Sequence, residues 1–277
     1  MLKIDAHNHF WKFDPVRDSW INDEMKIIQR DFLPEDFYPV LKAHGFDGCV
    51  VVQSDQSELE NEFQLNNAVA NPFIKAVVGW IDLRDNAIEK RLEYYQSFSL
   101  LKGFRHVLQG EQDRSLMLRP AFKNGISLLR KYGFTYDILI FPDQLKYAQE
   151  LAAAFPYQKF VIDHIAKPLI KTKEDGSWHE DIRTIAKQEN VYCKISGMVT
   201  EADWNNWKKE DFHPYIDTVV EAFGTKRIMY GSDWPVCKVA ASYTDMLDIV
   251  KDYFSKFSSD EQADFFGGNA CTFYNIQ

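Results

Sequence analysis

Short apolar runs alternate with longer amphipathic segments along almost the whole chain. Each run is rich in β-branched or aromatic residues and is followed by a segment with helical spacing, which is the pattern of repeated strand and helix units. Most runs lack alternating polar positions, as expected of parallel strands that are covered on both faces. The predicted strands are residues 2–6, 48–53, 74–81, 101–107, 134–140, 159–162, 191–195 and 227–230. These units predict an α/β fold of the TIM type, a (β/α)8 barrel.

Helix-capping residues support this division of the chain. Pro34 and Pro120 stand where two helices should begin, and Gly45 and Gly133 stand where two helices should end. Beyond the eighth unit, a capping sequence at residues 258–261 predicts an additional C-terminal helical segment. We expect this segment to pack beside the barrel.

The domain organisation is expected to be simple. No linker or low-complexity segment divides the chain, so residues 1–277 are predicted to form one domain. An open doubly wound sheet is the alternative for alternating strands and helices. However, no Gly-x-Gly-x-x-Gly follows the first strand and no P-loop sequence occurs, so the barrel is favoured.

Composition and charge limit the classes of partner and the location. The 277 residues carry a formal net charge of −9 without a cluster of Lys and Arg, so no nucleic-acid partner is expected. We find no signal-peptide segment and no run of about eighteen uncharged apolar residues, and therefore expect no membrane partner and a cytoplasmic location. The four cysteines lie far apart in sequence and are predicted to be reduced thiols. A homo-oligomer is compatible with this composition.

The strongest chemical signal is the sequence Asp-Ala-His-Asn-His at the end of the first predicted strand. Residues two apart on a strand face the same side, so His7 and His9 can reach one metal ion. An isolated His-x-His often only forms hydrogen bonds within a polar loop. Barrel enzymes assemble their active sites at the carboxyl ends of the strands, and the position of this pair therefore favours a site for zinc or another divalent metal.

The eighth predicted strand ends at a carboxylate, in the sequence Tyr-Gly-Ser-Asp-Trp-Pro. Asp233 is predicted to act there as a general base and as a metal ligand. The alternative is an ordinary turn or helix-capping Asp. Because closure of a barrel places the eighth strand beside the first, a shared role with His7 and His9 is favoured.

A third signal follows the sixth predicted strand, in the sequence Asp-His-Ile-Ala-Lys-Pro. His164 is predicted to be catalytic and Lys167 to bind substrate, with Asp163 as the orienting partner of His164. A buried histidine that is bonded to a neighbouring backbone group is the alternative for His164.

The remaining candidates bind substrate. Arg105 would polarise a carbonyl or hold a carboxylate, and His106 would bond a hydroxyl group, although strand alternation predicts that the two do not both face inward. Gln53 and several tryptophans stand near strand ends, where they would contact the hydroxyl groups and the apolar face of a sugar. Core packing is the alternative for each of the tryptophans, which are Trp11, Trp20 and Trp234.

Several motifs together resemble the amidohydrolase superfamily. They are the His-x-His at His7, the Asp-His-x-x-Lys-Pro at Asp163, the Gly-Ser-Asp-Trp-Pro at Gly231 and the closing Gly-Asn-Ala at Gly268. This resemblance spans nearly the whole chain. The order of the motifs and the Gly-Phe-Arg-His at Gly103 are most similar to the branch of L-fucono- and L-rhamnono-lactonases and their pyrone-dicarboxylate lactonase relatives. The resemblance implies hydrolysis of a sugar lactone to the aldonic acid.

The chain also departs from the pattern of many metal-dependent amidohydrolases, which place a Lys or Glu on the fourth strand and a His on the fifth. This chain has Arg105 and His106 on the fourth strand and Asp137 on the fifth. The departure argues against a bridged two-metal centre. In the lactonase branch some members work with one zinc and others with no metal.

Our hypothesis for the mechanism of lactone hydrolysis uses these candidate residues. Asp233 would take a proton from the water that attacks the ring carbonyl, and zinc, or His164 with Arg105 in the absence of zinc, would stabilise the oxyanion. Arg105 is the one Arg that we place at the barrel mouth, so we expect a neutral sugar lactone rather than a ring carboxylate, which needs several Arg contacts. A zinc-dependent decarboxylase and a non-catalytic sugar-binding barrel are the alternatives.

Overall fold

The computed structural model describes residues 1–277, and its centre is one sheet of eight parallel strands, β1 to β8, whose spatial order follows the chain. The strands are Ile4–Asn8, Gly48–Val52, Ile74–Gly79, Leu101–His106, Thr135–Ile138, Phe160–Ile162, Val191–Ile195 and Ile228–Tyr230. The sheet closes where Asp233 N donates to the His7 oxygen at 2.8 Å and His9 N donates to the Trp234 oxygen at 2.7 Å. The predicted TIM-type barrel is confirmed.

Helices connect the strands and cover the outside of the barrel. They are α1 (Pro34–Ala43), α2 (Glu58–Ala70), α3 (Ile88–Tyr95), α4 (Pro120–Leu129), α5 (Leu145–Ala154), α6 (Trp178–Ile185), α7 (His213–Phe223) and α8 (Tyr243–Phe254). Helices α1 and α4 begin at the predicted prolines, and Gly133 ends the turn after α4 with a φ of 79°, which glycine adopts without strain. None of the helices combines the length and the apolar composition needed to cross a lipid bilayer.

The barrel separates two apolar cores. The larger core lies between the outer face of the sheet and the helices. The smaller one fills the barrel interior with the side chains of Ile4, Ala6, Val50, Val52, Ala76, Val78, Val161 and Met229. Towards the carboxyl ends of the strands the interior holds charged and polar side chains instead, so the chemistry of the molecule is concentrated at that end.

Strand β1 continues two residues beyond the apolar run that predicts it. Its register against β2 shifts between Asp5 and Asn8, so that three steps along β1 match two steps along β2. A bulge of this kind changes the direction of the side chains that follow it. It brings His7 into the barrel interior, 3.1 Å from the ammonium of Lys194, although the neighbouring Ala6 already faces the inner core.

The chain ends in α9 (Ser259–Ala263), a π-helical turn (Asp264–Gly268) and α10 (Asn269–Tyr274). These elements form the predicted additional helical segment, and Ser258 with Glu261 forms the predicted capping box.

The position of α10 differs from the prediction, because the helix lies across the N-terminal end of the barrel rather than beside it. Asn269 Nδ2 donates to the Ile228 oxygen at 2.7 Å, at the start of β8. Phe273 and Tyr274 belong to the inner core and are each 1% exposed. Burial of these two aromatic rings accounts for the position, since it covers apolar surface inside the strands that no other helix reaches.

Candidate active site

A pocket of about 300 Å³ opens at the carboxyl ends of the strands. Its volume falls at the lower end of the range of about 300–1,000 Å³ that is usual for small-molecule sites. The residues that line it are His9, Arg17, Trp20, Ser54, Asp55, Gln56, Arg105, Val107, Gln109, Leu139, His164, Lys167, Asp233 and Val236. The pocket therefore lies at the end where barrel enzymes carry their active sites.

Three imidazoles surround the carboxylate of Asp233 at the base of this pocket. Nε2 of His9 lies 3.2 Å from Nε2 of His7 and 3.3 Å from Oδ1 of Asp233. Nε2 of His7 and Nε2 of His164 each lie 3.9 Å from the same oxygen. The structure thus brings together the three predicted metal ligands and the predicted catalytic histidine.

The donor atoms are suitable for a metal ion. His7, His164 and Asp233 each offer one ligand atom, and these atoms all lie within 4.8 Å of one another. His9 adds a fourth donor close to His7 and Asp233. Imidazole nitrogens together with a carboxylate oxygen form a donor set that zinc accepts readily.

Strained backbone positions His164 and Asp233. The φ angle is positive from His164 through Lys167, between 49° and 58°, and it is 57° at Asp233. A residue other than glycine in this conformation costs about 1–2 kcal/mol, and such residues cluster at functional sites. Position 197 requires glycine, because its φ is 60° and a Cβ there would lie 2.5 Å from Nδ1 of His164.

Burial and neighbouring charges shift the pKa values of His7, His164 and Asp233. Burial lowers the pKa of His7 and of His164 well below the usual value, so both imidazoles are neutral near pH 7. Burial acts to raise the pKa of Asp233, but His164, His9 and Lys167 together lower it more, and the net shift is downward. Asp233 is therefore an ionised carboxylate beside the neutral imidazoles of His7 and His164.

Asp163 contacts His7 rather than His164, the residue that we expected it to orient. Its Oδ1 lies 3.3 Å from Nδ1 of His7. Nδ1 of His164 instead lies 2.9 Å from Oγ of Ser196 on the segment after β7. Side-chain contacts of this kind fix the ring orientation and the tautomer of a metal-binding or catalytic histidine.

Four charged side chains fill the barrel interior directly below His7, and we call Arg105, Asp137, Asp163 and Lys194 the buried ion group. Lys194 Nζ donates to Asp137 Oδ2 at 2.6 Å and lies 3.0 Å from Asp163 Oδ1. Arg105 Nη1 donates to Asp163 Oδ2 at 3.0 Å. All four side chains are at most 4% exposed, and the two positive charges balance the two negative ones.

Sequence reasoning missed two members of this group as functional residues, namely Asp137 and Lys194. Burial raises the pKa of Asp137 to about 6, although Lys194 acts in the opposite direction. Lys194 is a charged residue in the otherwise apolar run of β7, and Asp137 is a charged residue in that of β5. A charge in a strand that is covered on both faces was the available signal.

A model of the amidohydrolase family matches residues 4–276. The chain belongs to the amidohydrolase family. The L-fucono-1,5-lactonase of Burkholderia multivorans is 34% identical over 286 residues, which cover 99% of this chain and 96% of that protein. An L-fucono-1,5-lactonase of Burkholderia ambifaria is 33% identical over 282 residues, with the same shares covered. The predicted similarity to the sugar lactonase branch is confirmed.

A solved structure extends this similarity to three dimensions. The crystal structure of an amidohydrolase from Burkholderia multivorans with bound zinc matches this amidohydrolase with a TM-score of 0.96 and 34% identity, and the match covers 100% of both chains. The strand order and the positions of the strand ends are therefore shared with a zinc-containing relative.

The structure places three of the predicted substrate-binding residues of this amidohydrolase away from the pocket lining. His106 faces outward, as strand alternation predicted for one of the pair, and its Nε2 lies 2.7 Å from Oε1 of Glu111. Trp11 and Trp234 are 1% and 3% exposed and pack against the ring of Phe32. The alternative of core packing describes the contacts of both tryptophans.

The other predicted substrate-binding residues lie at or just below the pocket. Arg105 and Lys167 line it, and Gln53 lies beneath it, where its Oε1 accepts from Arg105 Nη2 at 3.1 Å. Gln53 is fully buried, so it does not reach the pocket itself and contacts the lining residue Arg105 instead.

Further lining residues come from loops that the motifs did not single out. The loop after β1 contributes Arg17, together with Trp20, which is one of the tryptophans predicted to contact a sugar. The segment after β2 contributes Ser54, Asp55 and Gln56. The available signal was the run of polar residues that directly follows the apolar run of β2. Trp20 is 43% exposed and thus presents an aromatic surface at the opening.

Proposed function

We propose that this amidohydrolase hydrolyses a neutral sugar lactone to the corresponding aldonic acid, with zinc or another divalent cation at the base of the pocket. The single observation that carries the proposal is the position of the Asp233 carboxylate, whose Oδ1 lies 3.3 Å from the imidazole of His9 and 3.9 Å from those of His7 and His164. The 34% identity to an L-fucono-1,5-lactonase over nearly the whole chain supports this choice of reaction.

The metal would be held by His7, His9 and Asp233. Two imidazole nitrogens and one carboxylate oxygen within 3.9 Å of one another fit a small divalent cation. When bound, such a cation supplies Lewis acidity towards a carbonyl oxygen and favours deprotonation of water.

The side chains of the protein divide the proton transfers between them. Asp233 takes the proton of the water that attacks the ring carbonyl and returns it to the alkoxide that leaves. Nδ1 of His164 lies 2.9 Å from the Ser196 hydroxyl. In the proposed mechanism this hydroxyl donates to Nδ1, so that Nε2 carries the ring proton towards the pocket that His164 lines. His164 then donates a hydrogen bond to the carbonyl oxygen as negative charge develops there.

The pairing of the pocket cations supports a neutral substrate. Both amino groups of Arg105 already donate, Nη1 to Asp163 and Nη2 to the Gln53 oxygen at 2.6 Å. The remaining cations are likewise paired with carboxylates of the protein, Arg17 with Asp18 at 2.8 Å and Lys167 with Glu201 at 3.5 Å. A ring carboxylate is held best by bidentate donors, and neither arginine of the pocket keeps both of its amino groups free.

The alternative reactions have less support. The decarboxylase hypothesis expects a histidine on the fifth strand, where β5 carries Asp137 bonded to Lys194. A purely sugar-binding barrel does not need an ionised carboxylate held by strained backbone among neutral imidazoles. Hydrolysis uses each of these features.

The test is a panel of substrates at equal concentration, evaluated by kcat/KM. We expect acid release from L-fucono- or L-rhamnono-lactones, with a lower kcat/KM for a pyrone dicarboxylate. A preference for the dicarboxylate would overturn the neutral-sugar assignment, and carbon dioxide release from an aromatic acid without lactone hydrolysis would overturn the reaction. Lactone that is bound tightly and recovered unchanged would indicate a binding protein.

Two expectations complete the proposal and stay predictions. The first is a location in the cytoplasm, and the second is a homo-oligomeric assembly. Cell fractionation and the mass in solution would test them.

A further inference from the structure

The buried ion group occupies a place that TIM barrels usually fill with apolar side chains. Asp137, Asp163 and Lys194 are each 0% exposed. A buried charge is destabilising unless its hydrogen-bonding groups are satisfied. Asp137 Oδ1, Asp163 Oδ1 and Arg105 Nε have no hydrogen-bond partner, so the few contacts that the group does make should fix the positions of its side chains.

The C-terminal helix reaches this group from the opposite end of the barrel. The hydroxyl of Tyr274 in α10 donates to Asp137 Oδ2 at 2.8 Å. The ring of Tyr274 also lies below Lys194, with 5.5 Å between Nζ and the ring centroid. Tyr274 thus contacts both members of the pair at the base of the group.

Two contacts connect Asp137 with the candidate metal ligand His7. Asp137 Oδ2 accepts from Lys194 Nζ at 2.6 Å. Lys194 Nζ in turn lies 3.1 Å from Nδ1 of His7 and 3.0 Å from the Asp163 oxygen that faces the same nitrogen. Of the two side chains that face Nδ1 of His7, Lys194 is held by the carboxylate that Tyr274 contacts, and Asp163 is held by Lys194 and Arg105.

We propose that Tyr274 is a positioning residue, and that through Asp137 and Lys194 the C-terminal helix sets the ring orientation and tautomer of His7. The proposal rests on the proposed function in so far as His7 is a metal ligand. Nε2 of His7 can bind a cation only when its lone pair is free, which requires the ring proton at Nδ1 facing Asp163. Lys194 competes for the same nitrogen, because its ammonium lies 3.1 Å away and can only donate to an unprotonated Nδ1. The position of Lys194, shared between Asp137 and Asp163, therefore decides whether the ring proton stays at Nδ1.

The hydroxyl of Tyr274 is essential to this argument because Asp137 has few other partners. Oδ1 of Asp137 is buried without a hydrogen-bond partner, so Tyr274 and Lys194 supply the hydrogen bonds that fix the carboxylate. Without the hydroxyl, the carboxylate can rotate about its side chain, and Lys194 moves with it. The effect reaches His7 without any change in a residue that lines the pocket.

The test compares Tyr274→Phe with Phe273→Leu. The first variant keeps the aromatic ring and removes only the hydroxyl. The second alters packing in the same inner core, against the Tyr274 ring whose centroid lies 4.7 Å from that of Phe273, and it keeps the Tyr274 hydroxyl. Measurements on each protein are the ¹⁵N resonances of the His7 ring in the metal-free state, the Zn²⁺ affinity by competition with a chelator, and the thermal midpoint.

We expect Tyr274→Phe to shift the His7 ring resonances and to weaken Zn²⁺ binding by about tenfold, the lower end of the effects seen for groups that orient metal ligands. Phe273→Leu should lower the thermal midpoint and leave the His7 resonances and the Zn²⁺ affinity as in the wild type. If Tyr274→Phe matches Phe273→Leu in both His7 measurements, Tyr274 has a packing role only and the proposal is overturned.

A second variant and a separate readout keep the result decisive. Should Tyr274→Phe fail to fold, Asp137→Asn weakens the same chain of contacts and should shift the same resonances. The His7 ring resonances of the metal-free protein test whether Tyr274 positions His7, even if the wild type binds no Zn²⁺ or hydrolyses no lactone. In that case the proposed function fails while the positioning role is judged separately.

Discussion

The two ends of the barrel are built from the same eight strands and differ in what fills them. At the carboxyl end, three imidazoles surround the carboxylate of Asp233, and the backbone at His164 and Asp233 is held at positive φ. At the N-terminal end, α10 inserts Phe273 and Tyr274 into an apolar interior. The strained backbone at the carboxyl end lowers the stability of the fold but preorganises the site, whereas apolar burial at the N-terminal end raises the stability of the fold.

The size of an opening does not distinguish these ends. The N-terminal end carries a cleft of about 430 Å³, larger than the pocket of about 300 Å³ at the carboxyl end. Lys102 and Lys159 line this cleft, but no histidine, cysteine or carboxylate does. Convergent ligand atoms, rather than volume, identify the active site of this molecule.

The largest effect is expected at the carboxyl end, from Asp233→Asn. The amide cannot accept the proton of the attacking water, so kcat should fall by about 10²–10⁴-fold while the fold is retained. Steady-state kinetics and the circular dichroism spectrum measure the two effects. Asp55→Asn makes the same change of charge at the pocket mouth and should alter KM more than kcat. Near-normal kcat in Asp233→Asn would remove this residue from the mechanism.

Removal of two ligands should next abolish metal binding. In the double variant His7→Ala with His9→Ala, two of the proposed imidazole donors are lost. Elemental analysis after reconstitution with Zn²⁺ should find no bound metal. His179→Ala removes a half-buried histidine of α6 outside the pocket and should keep the metal content of the wild type. Stoichiometric zinc in the double variant would place the ion elsewhere.

The N-terminal end should respond in stability instead. Phe273→Ala leaves a cavity in the inner core and should lower the free energy of unfolding by about 3–5 kcal/mol. Its kcat, measured well below the unfolding temperature, should stay close to that of the wild type. Denaturant unfolding checks the first expectation. A loss of kcat as large as that of Asp233→Asn would contradict the division between the two ends.

The smallest effect concerns Asp5, which supports the site from within β1. Its Oδ1 accepts from Ser232 N at 2.9 Å and from His7 N at 3.2 Å. Burial raises the pKa of Asp5 from 3.8 to about 6. The folded state therefore holds this proton more tightly than the unfolded state, and the stability contributed by Asp5 is lost as the pH rises from about 4 to about 6.

Asp5→Asn cannot ionise and keeps the accepting oxygen. The free energy of unfolding of this variant should depend less on pH across this window. Near pH 7 it should exceed that of the wild type by about 3 kcal/mol. Denaturant unfolding at several pH values measures both curves. Parallel curves for the two proteins would show that Asp5 titrates alike in the folded and unfolded states.

The sequence by itself determined the barrel and the core of the site. Continuous apolar runs are typical of parallel strands that are covered on both faces, and eight of them with helical connections, without a dinucleotide-binding motif, favoured the closed barrel over an open sheet. His7, His9, His164 and Asp233 follow three of these runs directly. Because the carboxyl ends of all strands meet at one mouth, their position along the chain was enough to predict that they lie together.

The tertiary structure alone decided which side chains share the interior. Lys194 reaches His7 across 187 residues of chain, and the bulge in β1 turns His7 inward beside Ala6, against simple alternation. Register and long-range packing set these contacts, and neither leaves a local pattern. The same reason explains why Trp11 and Trp234 pack in the aromatic core, and why the last helix closes the barrel from below instead of lying beside it.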